Sequence, residues 1–313
     1  MKTPIIIGGQ KIGRLRASFL LFKESWRFLS NDKELLLVPI FSMVFSGILI
    51  GLITLLLGGF TGALDQFFTA EKSIGYMEYA FMFLVYLIGA FSLAIAQATT
   101  VHIVYVRAHG GNATLYSGLA RAFSNWYPLL LWSLITSTVG LILKLISERS
   151  QIIGKLVAGL LGAAWAILTF FAVPIILIEK KNPVDSISAS AKLFKKTWGE
   201  TLISNVTLGL VFMLAHLVVL ASFVGLLIYG AMVQNAAVLV IAIIGVIVWL
   251  ILATLVDAAL QSILKTLLYI YAAEDVVPNN FNRELLESML VRKTVASVPI
   301  NLPGTEVRDS QFN

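Results

Sequence analysis

Six stretches of this chain are apolar for about 20 residues or more: 36–60, 79–104, 127–146, 156–178, 202–229 and 237–264. A hydrocarbon core roughly 30 Å thick is crossed by about 20 residues of helix, and within it every backbone N–H and C=O must be paired inside the segment. Runs of this length predict an all-α integral membrane protein with six transmembrane helices. The first run starts too late and is too long for a cleaved signal peptide, and no small-residue cleavage motif follows it. Only 13% of residues are charged, against about a quarter in soluble domains, and those charges cluster in short segments. The expected organisation is an N-terminal segment over 1–34, one membrane domain over 35–271 and a tail over 272–313. With no cysteine in the chain, disulfides, thiolate nucleophiles and cysteine metal sites are excluded.

Lysine and arginine in the flanks set the orientation. Lys2, Lys11, Arg14, Arg16, Lys23, Arg27 and Lys33 precede the first run, Arg107 and Arg121 lie in the second connection, and Lys180, Lys181, Lys192, Lys195 and Lys196 lie in the fourth. Lys265, Arg283, Arg292, Lys293 and Arg308 follow the last run, whereas the other side carries only Lys72, Lys144, Arg149 and Lys155. Both termini are therefore expected in the cytoplasm of a cell carrying this protein in its inner or plasma membrane. The net charge of +6 reflects this bias, and no nucleic-acid-binding motif accompanies it.

The hexapeptide LFKESW at 21–26 returns as LFKKTW at 193–198. Counting back eleven, seven and four residues from Trp26, Trp126 and Trp198 gives Leu15, Phe19 and Phe22; Leu115, Leu119 and Ala122; and Ile187, Ala191 and Phe194. That spacing is one apolar stripe of an α-helix, with basic residues on the rest of each segment. Such a helix suits the bilayer surface, its apolar side in the acyl boundary and its tryptophan at headgroup level. Since each segment precedes two apolar runs, the expected fold is three transmembrane hairpins, each introduced by an amphipathic interfacial helix on the cytoplasmic side. The alternative is that cytoplasmic connections are commonly amphipathic and the hexapeptide match is chance.

The segments LFKESWRFLSNDKELLLVPIFS at 21–42, HGGNATLYSGLARAF at 109–123 and GAAWAILTFFAVPIILIEKKNPVDSISASAKLFKKTWGE at 162–200 carry a resemblance. The chain resembles an uncharacterised family of prokaryotic six-span membrane proteins, the domain of unknown function numbered 6159, over about 20–270. The resemblance implies a fold and no activity. Where the family pattern often has an acidic residue after the histidine-glycine pair, this chain has Gly111.

Ionisable groups inside a membrane are functional candidates because burying them is costly. The candidates are Gln97 and His102 in the second run, His216 in the fifth, and Asp257 and Gln261 in the sixth. His102 is five residues from Arg107 and Asp257 eight from Lys265, so both are expected within about 12 Å of the cytoplasmic edge. His216, fifteen residues past Thr201, is expected about 22 Å in. A His102–Asp257 pair with Gln97 and Gln261 nearby would make a proton-linked or cation-binding site, or simply a packing contact. The ligands are too few for zinc, no hydrolase or nucleotide motif is present, and no cofactor is expected.

Small residues at Gly47 and Gly51, at Ala158 and Gly162, and at Gly159 and Ala163 have the spacing of close helix contacts, within one chain or in a homo-oligomer. Pro174 is expected to kink the fourth span. Two functional classes remain. One is a non-enzymatic module that organises the bilayer or a membrane-protein partner, binding anionic lipid through Lys192, Lys195 and Lys196 and anchored by Trp26, Trp126 and Trp198. The other is a transporter or channel for a lipid-like or small solute coupled at the His102/Asp257 level.

Overall fold

The computed structural model describes residues 5–7, 10–12, 23, 25–30, 32–61, 76–150, 152–198 and 207–274. Most of the first tryptophan-marked segment, up to residue 22, lies outside these, as does the expected tail beyond residue 274.

Within the N-terminal segment, β1 (Ile5–Ile7) pairs antiparallel with β2 (Gln10–Ile12), Ile7 facing Gln10. This hairpin was not expected. Its signal was Gly8-Gly9 after the β-prone Ile5, Ile6 and Ile7, the composition of a two-residue hairpin loop.

A 3-10 turn, Lys33–Leu36, leads into α1 (Leu37–Thr61). There follow α2 (Tyr76–Ala108), α3 (Leu115–Ser124), α4 (Trp126–Glu148), α5 (Ile153–Leu168), α6 (Ala172–Ile178), α7 (Pro183–Trp198), α8 (Thr207–Met232) and α9 (Ala236–Glu274). Among the described residues, five segments are long and apolar enough to cross a bilayer: 33–56, 79–108, 126–148, 153–178 and 236–274. The fifth run forms α8, within which His216–Met232 is an apolar helix of the described residues. The protein is a multi-pass membrane protein.

The central element is α2, which packs against α1, α3, α4, α6 and α9, while α8 packs chiefly on α9. At 1.5 Å per residue, the 33 residues of α2 span about 50 Å and the 39 of α9 about 58 Å, well beyond a 30 Å core. Burial divides α9 accordingly. Val240, Ile244, Ile247 and Leu252 are exposed, whereas Leu260, Ile263, Leu267, Tyr269 and Ile270 are buried. Around the buried ends of α2 and α9 gather α3, α6 and α7, forming a helical cap on one end of the bundle.

The fourth apolar run breaks. Residues 169–171 are a turn between α5 and α6, placed where Pro174 has no N–H to offer the carbonyl four residues earlier and its ring would crowd that carbonyl. The break leaves the Phe171 amide without a helical acceptor, and this amide donates instead to Ser190 Oγ of α7 at 2.9 Å. Both residues are fully buried. Six of the seven residues of α6, Ala172 to Leu177, are buried as well, so this short apolar helix is covered by protein.

Local sequence explains the cap's corners. Lys180 takes a positive φ of 55° after α6. Asn182 Oδ1 then accepts the Asp185 amide at 2.8 Å, capping α7, whose first residue is Pro183; this is the favoured place for proline in a helix. Thr114 and Ser117 form a reciprocal capping box on α3. The Arg107 guanidinium pairs with Asp32 and donates twice to Ala113 O, at 3.1 and 2.7 Å, tying α2 to the chain entering α1 and to the loop before α3.

Of the expected small-residue contacts, a methyl group added at Gly47, Gly51 or Gly159 would meet nothing within 4 Å, while one at Gly162 would touch Leu143 at 3.6 Å. Tight contacts are elsewhere, as at Gly245 of α9, where an added carbon would run into the Phe223 ring of α8. At Gly118 an added carbon would stand 2.9 Å from both Thr99 and Ile103, so α3 approaches α2 through this glycine.

Candidate functional site

The connection from α6 to α7 and the outer face of α7 form one side of a cleft of about 580 Å³. Its charged lining is Glu179, Lys181, Asp185, Lys192 and Lys196, with Ala273 contributed by α9. Helical spacing puts Lys192 and Lys196 one turn apart on one face. The tight turn at Lys180 swings Lys181 and Glu179 to the same mouth.

The acids here are already engaged. Glu179 accepts the Tyr269 hydroxyl at 2.9 Å and pairs with Lys181 at 2.6 Å, and Asp185 accepts the Asn182 side-chain amide at 2.5 Å. Among the described residues no carboxylate lies within ion-pair distance of Lys192 or Lys196. The cleft therefore presents two ammonium groups with no carboxylate partner among the described residues, over a wall of Ile175, Ala189 and Leu193. Chemically it suits an anion attached to something apolar.

The expected anchors divide. Lys192 and Lys196 line the cleft and Lys195 does not. Trp26 and Trp126 are exposed; Trp126 opens α4 and Trp198 closes α7. The second and third expected apolar stripes face protein, and the first, Leu15, Phe19 and Phe22, lies outside the described residues. On α3, Gly118 and Ala122 are buried, with Leu115 and Leu119 half-buried, against α2. On α7 the deepest residues are Ser186 and Ser190, with Ile187, Ala191 and Phe194 half-buried. Small residues at these contacts let the helices approach each other closely.

The expected His102–Asp257 pair is not formed. Asp257 Oδ2 lies 3.3 Å from His216 Nε2, and the His216 ring lies 5.7 Å from Trp249. The correction follows from where the helices stop. Lys265 does not mark an edge, because α9 runs on to Glu274; Asp257 is seventeen residues, about 25 Å, short of that end. Conversely, His216 is nine residues, about 14 Å, from Thr207, the first described residue of α8. Tyr105 of α2 and His109, just past its end, both bind Glu274, at 2.9 Å each. That fixes His102 near the level of Tyr269, roughly 18 Å along the axis from Asp257. Among the described residues, no hydrogen bond joins Gln97 or Gln261 to either histidine.

Several functional-looking residues escaped sequence reasoning. Glu179, Tyr269 and Glu274 lie 90 and 165–169 residues from their partners, and no local pattern marks them. Lys181 and Arg107 were legible only as flanking charge. No group of three or more His, Asp or Glu among the described residues could hold a metal ion.

A family described as "Family of unknown function (DUF6159)" matches residues 76–277. No curated protein and no solved structure matches the chain.

Proposed function

The chain belongs to the family of unknown function DUF6159, and on that footing we propose a non-enzymatic six-span membrane protein that binds anionic lipid through the α6–α7 cleft. α8 is the fifth span and α9 the sixth, both termini face the cytoplasm under the lysine and arginine bias, and the cap lies at the cytoplasmic leaflet. There the protein organises lipid or a membrane-protein partner. One observation carries the reading: the cleft's carboxylates are committed to Tyr269, Lys181 and Asn182 while Lys192 and Lys196 have no carboxylate partner among the described residues.

Each such lysine near an anionic surface contributes about 1 kcal/mol, so removing two weakens binding by roughly thirtyfold. The test is retention of phosphatidylglycerol at low salt by protein purified in mild detergent. Lys192→Gln/Lys196→Gln should lose it, and Lys195→Gln, outside the cleft, should not. Equal effects of both variants would point to diffuse surface charge, and no effect of either would remove the proposal.

A second reading, transport, draws support from the His216–Asp257 contact, since an ionisable pair between apolar helices is a default candidate for function. Proton-coupled solute uptake into proteoliposomes, lost in Asp257→Asn, is what it requires.

A further inference from the structure

Lys265 was expected to flank the sixth run from the aqueous side, yet α9 continues for nine more residues and leaves it half-buried inside the cap. Its ammonium lies over the Phe170 ring, 5.5 Å from the centroid, at the break between α5 and α6. Phe194 of α7 meets the same ring edge-on at 5.8 Å. Among the described residues no carboxylate is within ion-pair distance of Lys265, and no hydrogen-bond acceptor serves it. The acids on its own helix, Asp257 and Glu274, are eight and nine residues away, about 12 and 14 Å along the axis, and are held by His216 and by Tyr105 with His109. A ring face offsets only part of the cost of desolvating an ammonium. The remainder calls for an anion.

The level of this cation in the bundle indicates which anion. Trp132 and Trp165 stack across the antiparallel pair α4 and α5, centroids 6.1 Å apart. Five residues beyond Trp165 is Phe170, and five before Trp132 is Tyr127, so Phe170 is level with the exposed pair Trp126 and Tyr127. Exposed tryptophan and tyrosine at the end of an apolar helix sit at the headgroup level of a bilayer. The anions abundant there are phosphates of lipid.

We propose that Lys265 is the cationic arm of a second phosphate site, where the α5–α6 break and the Phe170 and Phe194 rings admit a phosphate group against α9. The site is distinct from the α6–α7 cleft, since Ala273, which lines that cleft, is eight residues or about 12 Å further along α9. A lipid phosphodiester and free phosphate share the required chemistry, and the break's apolar walls favour the lipid.

Native mass spectrometry of the full-length protein in mild detergent, titrated with phosphatidylglycerol, tests this. Lys265→Met should bind one lipid fewer than wild type, or bind it roughly fivefold more weakly. Lys265→Arg, which keeps the charge, should retain it. Lys192→Gln/Lys196→Gln should lose a different copy, so the two losses add. Failure of that variant alone would overturn the cleft and leave this site standing. Displacement of the Lys265-dependent copy by millimolar inorganic phosphate would identify the occupant as free phosphate, and resistance would identify lipid. If Lys265→Met fails to fold, Lys265→Gln carries the same comparison. Phosphatidylglycerol binding equal to wild type in the folded neutral variant overturns the proposal.

Discussion

Replacing Ser190 with alanine would probe what holds the broken fourth run in place. The Ser190 hydroxyl accepts the Phe171 amide at 2.9 Å, with both residues fully buried and α6 enclosed behind them. In Ser190→Ala the amide keeps its burial and loses this acceptor, which costs about 1–3 kcal/mol. Ser186 is the matched control: it is equally buried on the same helix, but its hydroxyl donates at 2.7 Å to Asn182 O, a carbonyl that already accepts the Ser186 amide at 2.9 Å. Ser186→Ala removes a redundant bond and should cost well under about 1 kcal/mol. For a domain of this size, 1 kcal/mol corresponds to roughly 2–4 °C in midpoint, so Ser190→Ala should lower the midpoint by about 2–12 °C and Ser186→Ala by less than half as much. Tryptophan fluorescence during heating in detergent reads both, using the chain's six tryptophans; a thiol-reactive dye has no cysteine to report on. If the two variants melt together, the Ser190 hydroxyl is not what satisfies the break.

Other perturbations address the cap and the corrected pairing. Lys180→Gly should raise the same midpoint by an amount worth up to about 1 kcal/mol, because a positive φ of 55° strains a residue with a side chain and not glycine. Gly118→Val should destabilise by about 1–3 kcal/mol, since even a β-carbon would stand 2.9 Å from Thr99 and Ile103; Gly51→Val, with nothing within 4 Å, should be nearly neutral. A double-mutant cycle of His216→Leu with Asp257→Leu should give a coupling of about 0.5–2 kcal/mol, and one of His102→Leu with Asp257→Leu should give none. The reverse pattern would restore the pairing inferred from sequence.

What the sequence determined by itself was whatever depends on one helix and its solvent. Apolar runs of 20 residues and more stand out because the bilayer's thickness imposes a length on each segment independently. The α7 start at Asn182-Pro183, the capping box at Thr114 and the break before Pro174 are equally local, settled by hydrogen bonds within four residues along the chain. The family resemblance belongs here too, since matching segments need no contact between them. Tertiary structure decided which residues meet. The pairing of Asp257 with His216 depends on how far α9 runs beyond Lys265, and that continuation is stabilised by Leu260, Ile263, Leu267 and Ile270 burying themselves against α2, α6 and the entry to α1. Sequence places a charge along its own helix at 1.5 Å per residue but carries no ruler between helices. Where two helices lack a common origin, an uncertainty of nine residues at one end becomes roughly 14 Å of relative depth. The Tyr105–Glu274–His109 contact supplied that origin, and from it followed the separation of His102 from Asp257 and the burial of Lys265.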